Sequence, residues 1–166
     1  MLTVNRDTIF QNSNHEQITF DDVMHRIIGF INADPSCEYR VSIGTDSMTY
    51  KDTHFVLAIV VHRVGRGGIY FYKKFTHEVI KDLRQKLYTE TQLSLDAAEL
   101  LFGALLDIDE NIYDRLNLSI HLDIGTNGPT KDLIRELEGW VTAMGYGYEI
   151  KPNSYAASSI ANKYSK

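Results

Sequence analysis

Hydrophobic and polar positions fall into two rhythms along this chain. In "TFDDVMHRIIGFINADP", Val23, Ile27 and Ile31 recur at helical spacing behind Thr19 and two acids, and the segment stops before Pro35. An N-terminal amphipathic helix is expected there. "EYRVSIGTDSMTY" then reads as a strand through Val41, Ile43 and Thr45 that ends on Asp46. "HFVLAIVVHRV" and "GIYFYKKF" are β-branched and aromatic runs joined through "GRGG", a hairpin signal. From about Val79 to Leu106 the period is helical again, with a break expected near Ser94, where "SLDAAE" could cap a second segment. "NLSIHLDIG" alternates Leu118, Ile120, Leu122 and Ile124 with Ser119, His121 and Asp123, the period of a strand. "TNGPTKDLIRELEGWVTAMGYG" turns at Gly128 and Pro129, enters a helix near Thr130 and leaves it at Gly145 or Gly147. "YGYEIKP" predicts a short strand, and "SYAASSIANKY" a closing helix of small residues.

After the first helix the order is β β β α β α β α. It predicts an α/β protein with a mixed sheet: an antiparallel hairpin edge, then parallel strands with helices on both faces. A chain of 166 residues fits one domain over 1–166, with residues 1–16 as an irregular N-terminal extension. The single cysteine, Cys37, excludes an internal disulfide and a thiolate zinc site, which points to a reducing, cytoplasmic setting. The stretch "MLTVNRDTIFQNSNHE" has no basic region followed by an apolar run, so neither a signal peptide nor a membrane helix is expected. A net charge of −5 argues against clamping nucleic acid by bulk electrostatics. A local basic patch remains open to the tail, through Lys151, Lys163 and Lys166, although a solvated helix end is the commoner role for such residues.

The candidate chemistry is carboxylate chemistry. An aspartate at a strand's carboxyl end either caps the next turn or holds a cation or reactant, because sites in open α/β sheets lie beyond those ends. Asp46 and Asp123 share this situation, and parallel neighbouring strands would deliver both to one edge. Glu90 comes from helical arithmetic. At roughly 100° per residue it falls about 20° from Leu83, inside the stripe formed by Leu83, Leu87, Ala98, Leu101 and Leu105. An ionised glutamate there is costly unless it is paired, for which Arg84 and Lys86 are near in sequence, or bound to a metal. Three converging carboxylates would repel each other, and Mg²⁺ or Mn²⁺ is the usual remedy.

The order of elements, "IGTDS" on the first strand, Glu90 on the long helix and "HLDIG" on the fourth strand resemble the ribonuclease H-like fold. More closely, "YRVSIGTDS", "HLDIG" with "GPTKDLIRELEGWV", and "IKPNSYAASSIANKYSK" resemble the YkuK-like family of uncharacterised bacterial proteins. The resemblance implies a five-stranded mixed sheet. It also implies a metal-dependent site in which the fold's first-strand aspartate matches Asp46, its helix glutamate Glu90 and its fourth-strand aspartate Asp123. Nucleases of this fold usually place a fourth acid on the last helix. This chain offers Asn153 and Asn162 there and no carboxylate after Glu149, so Asn162 is carried as a neutral metal ligand. Two function classes follow. One is a Mg²⁺- or Mn²⁺-dependent nuclease or phosphodiesterase acting on RNA, DNA or hybrid, with Asp46, Glu90 and Asp123 as its catalytic carboxylates. The other is a non-catalytic module of the same fold that binds nucleic acid or protein.

Other features weigh less. "GTNGPTKD" joins a strand to a helix through two glycines and Lys131, but its spacing is not that of a phosphate loop, and a turn with a helix cap is favoured over a phosphate contact. His121 should share a sheet face with Asp123; a structural histidine is favoured over a proton shuttle. His15, His25, His54, His62 and His77 lack metal-ligand spacing. Ser154, Ser158 and Asn162 form a polar stripe at helical spacing. "YFYKKF" could stack bases with help from Lys73 and Lys74, but one buried and one wet sheet face is favoured.

Overall fold

The computed structural model describes residues 2–125, 128 and 131–154. In chain order the elements are β1 (Phe10–Asn12), β2 (Gln17–Ile18), α1 (Phe20–Ala33), β3 (Tyr39–Tyr50), β4 (Asp52–Arg63), β5 (Gly68–His77), α2 (Leu83–Ile108), β6 (Leu116–His121), α3 (Ile134–Ala143) and β7 (Gly147–Glu149). Short 3₁₀ turns at Ile112–Asp114 and Lys131–Leu133 precede β6 and α3. The strands form one sheet in the order β2-β1-β5-β4-β3-β6-β7.

The five expected strands run contiguously from β5 to the β7 edge. β3, β4 and β5 run antiparallel to one another, β6 lies parallel to β3, and β7 lies parallel to β6. Two short strands extend the sheet to seven, which corrects the expectation of an irregular stretch over residues 1–16. β1 pairs with β5 through Gln11↔Tyr72 and Asn12↔Phe71, and Phe10 is fully buried. The physical reason is that β5 would otherwise present an open edge, and a strand carrying one phenylalanine covers it while burying an aromatic ring.

α1 begins where expected. Thr19 accepts a hydrogen bond from the Asp22 amide, the Asp22 side chain accepts one from the Thr19 amide, and Phe20, Val23, Met24, Ile27 and Ile31 are buried. α2 differs from its expectation in two ways. It starts only at Leu83, capped by the Asp82 side chain, and it runs unbroken past Ser94. Ser94 does not cap a new segment because its hydroxyl is engaged sideways, 2.8 Å from Thr45 Oγ1 in the core. Leu83 remains 38% exposed as the first residue of the helix, while Leu87, Ala98, Leu101 and Leu105 are buried as the stripe requires.

Buried residues of all three described helices join Tyr39, Val41, Ile43, Leu57, Ile59, Val61 and Ile120 in one core cluster. Val56, Ala58 and Tyr72 form a separate buried cluster from alternate strand positions. The helix expected to close the chain, with Ser158, Asn162, Lys163 and Lys166, lies outside the described residues. The expected wet face of "YFYKKF" is corrected too: Phe71 and Tyr72 are both buried, one in each cluster, and Lys73 Nζ lies 5.8 Å from the Phe75 ring centroid. Among the described residues no helix is long and apolar enough to cross a membrane.

Candidate metal centre

The geometry of the acids follows from strand register. The parallel pairing of β3 with β6 ends at Gly44↔His121. Asp46 and Asp123 each lie two residues beyond that last pair, so both acids emerge at the same carboxyl end. β3 itself does not stop at Asp46 as expected. It continues to Tyr50 because β4 pairs with it throughout, from Tyr39↔Arg63 to Tyr50↔Asp52, and the chain reverses at Lys51 with φ of 65°. Asp46 thus sits where β3 is bonded on its β4 side and has left β6.

α2 crosses behind this point and supplies Glu90, which is only 5% exposed. One oxygen from each of Asp46, Glu90 and Asp123 falls in a group whose members all lie within 4.8 Å of one another. Neither Arg84 nor Lys86 neutralises Glu90: Arg84 bonds Glu136 at 2.5 Å, and the contact to Glu90 comes from Ser47, whose hydroxyl donates to Oε2 at 2.6 Å. Glu90 Oε1 is buried with no hydrogen-bond partner among the described residues. The Ser47 amide donates to Asp46 Oδ1 at 2.9 Å. Lys151 Nζ lies 2.8 Å from Asp123 Oδ1.

The electrostatics are those of crowded negative charge. Burial, followed by the hydrogen bond and charge of Asp123, pushes the Asp46 carboxyl up to about 7. Burial and then the Asp123 charge hold Glu90 well above the ordinary glutamate range, against the opposing effect of the Ser47 hydroxyl. His121 is buried, and desolvation lowers its imidazole to about 4, so the ring is neutral at pH 7. It lines a small cavity together with Thr45, Glu90, Thr91 and Asp123.

This donor set fits a hard divalent cation. It is made of carboxylate oxygens. One of them, Glu90 Oε1, is buried and lacks the partner that a buried polar atom needs, and a cation would offset the mutual repulsion. Of the residues singled out from sequence, Asp46, Glu90 and Asp123 come together. Asn162 lies outside the described residues, and Asn153 is exposed. Within "GTNGPTKD", Gly128 has φ of 90° and Lys131 is exposed; Thr126, Asn127, Pro129 and Thr130 lie outside the described residues. Sequence reasoning missed Ser47 and Lys151 as members of the site. Ser47 was open to discovery, since the residue after a strand aspartate faces the opposite side, where the helix packs. The place of Lys151 depends on the β6–β7 register, which no local pattern reveals.

A mixed sheet in this order, with two strand aspartates and one helix glutamate at its carboxyl edge, defines a ribonuclease H-like protein. The sequence model described as Ribonuclease H-like matches residues 22–166, and the chain belongs to that family. It is also 42% identical, over 95% of its own length and 97% of the relative's, to the Uncharacterized protein YkuK of Bacillus subtilis (strain 168). No solved structure matches the chain.

Proposed function

We propose that the protein is a Mg²⁺- or Mn²⁺-dependent phosphodiesterase that acts on nucleic acid in the cytoplasm. The observation that carries this reading is the convergence of Asp46, Glu90 and Asp123 within 4.8 Å, with one buried glutamate oxygen unpartnered among the described residues. Asp46, Glu90 and Asp123 would hold the cation. When bound, it supplies positive charge to the phosphate and activates water for attack. The chain's own contribution is placement. β3 and β6 fix two carboxylates by register, α2 holds the third in a dry setting, and Ser47 orients that third carboxylate through Oε2. Neutral His121, in the lining of the same cavity, adds no charge that would compete with the cation.

The contact of Lys151 with Asp123 favours a second reading, because an ammonium already satisfies one of the acids. Under it the protein is a non-catalytic module that binds nucleic acid or protein. Cleavage assays on single-stranded RNA, DNA and hybrid duplex, with Mn²⁺ and with chelator, separate the two. The phosphodiesterase reading expects metal-dependent cleavage of at least one substrate, lost by about 10²-fold or more in Asp46→Asn and Asp123→Asn. No cleavage of any substrate, with binding intact in both variants, would leave the non-catalytic module.

A further inference from the structure

We propose that Lys151 is the built-in counter-cation of the acid cluster, standing where a second metal ion would otherwise be needed, so that the site takes one divalent cation per chain. This inference rests on the metal-site reading above and deepens it.

The position of Lys151 is fixed by backbone. The Leu122 amide donates to the Glu149 carbonyl at 2.9 Å, and the Lys151 amide donates to the Ile124 carbonyl at 2.8 Å. The chain after β7 therefore keeps alongside the chain after β6: Asp123 lies between the two bonded residues of one segment, and Lys151 makes the second bond of the other. The two segments lie close enough that a Cβ at Gly125 would be in ordinary contact with Lys151, 3.4 Å from its Cβ and 3.8 Å from its Cδ. The side chain then delivers Nζ to Asp123 Oδ1 at 2.8 Å while staying 55% exposed. Asp46 and Glu90 also act electrostatically on this ammonium.

The donor inventory points the same way. Each acid already has one oxygen engaged: Asp46 Oδ1 by the Ser47 amide, Glu90 Oε2 by the Ser47 hydroxyl and Asp123 Oδ1 by Lys151. Apart from the hydrogen bond that Asp46 and Asp123 share with each other, which a cation would replace, one oxygen per acid remains, a set suited to one cation completed by water or substrate oxygens. The charge agrees, because three carboxylates are balanced by one divalent cation plus one ammonium, whereas two divalent cations beside Lys151 would leave the cluster positive.

Calorimetric titration of the full chain with Mn²⁺ alone, without nucleic acid, tests this. Wild type should bind one ion per chain. Lys151→Met, which removes a neighbouring positive charge and frees Asp123 Oδ1, should bind Mn²⁺ about tenfold more tightly or better. Lys151→Arg, which keeps the charge, should stay within about threefold of wild type. Two ions in wild type, or a Lys151→Met affinity unchanged from wild type, would overturn the role of Lys151 while leaving the metal site standing. Absence of Mn²⁺ binding by wild type and both variants would overturn the metal reading itself, and the counter-cation with it.

Discussion

Glu90 concentrates the conflict that the site resolves. A carboxylate so deeply buried, with one oxygen held by Ser47 and the other without a partner among the described residues, is costly when ionised. Together with Asp46 it makes the metal-free protein prefer acid. Both groups titrate higher in the folded state than in the unfolded chain, where the ordinary values are 4.5 and 3.8. Their contribution to stability is therefore fully present below those ordinary values. It falls as pH rises, the Asp46 part being lost through about 7. Glu90→Gln keeps an acceptor for the Ser47 hydroxyl and removes the charge. The variant should match or exceed wild-type stability without metal, by up to about 1–3 kcal/mol at neutral pH and above, and its stability should fall less steeply with pH. It should also lose most of the stabilisation that Mn²⁺ gives wild type. Thermal melts of both proteins across pH, with and without Mn²⁺, check this; a less stable Glu90→Gln that keeps the full Mn²⁺ shift contradicts the ligand role.

At the scale of elements, strand and helix periodicity carried most of the site. The alternation in "NLSIHLDIG" and the run before Asp46 put two acids at strand ends, and the spacing from Leu87 to Glu90 put a third on a buried helix face. What periodicity does not encode is what neighbours do to an element. β3 outruns Asp46 because β4 pairs with it to the turn at Lys51, and α2 passes Ser94 because Thr45 takes up the serine hydroxyl. A serine that opens a helix and one that bonds a strand threonine look alike in sequence. The short strand β1 escaped for a similar reason, since three residues carry too little pattern to be read alone. The Thr45–Ser94 bond offers a test of how firmly α2 is registered on β3. Thr45→Val alone strands a buried hydroxyl and should cost about 1–3 kcal/mol, and adding Ser94→Ala should recover a good part of it. Denaturant unfolding of the two single variants and the double variant checks this, and strictly additive losses would show that the two hydroxyls do not depend on each other.

For the molecule as a whole, acidity and the candidate activity have to be reconciled. A net charge of −5 gives little long-range attraction for a polyanion, so the proposed action on nucleic acid requires that any affinity come from the site once its carboxylates are neutralised. The fold concentrates that opportunity at one edge, where the β3–β6 register, the long helix α2 and the Lys151 segment after β7 meet. The claim on which the rest depends is that this edge holds a divalent cation. Crystals of the protein grown or soaked with Mn²⁺ and measured for anomalous scattering test it without any choice of substrate. The account predicts a strong anomalous peak within coordination distance of Asp46, Glu90 and Asp123, about 2.0–2.3 Å from one oxygen of each. A structure at saturating Mn²⁺ with no peak there, and with Glu90 Oε1 still without a partner, would contradict it.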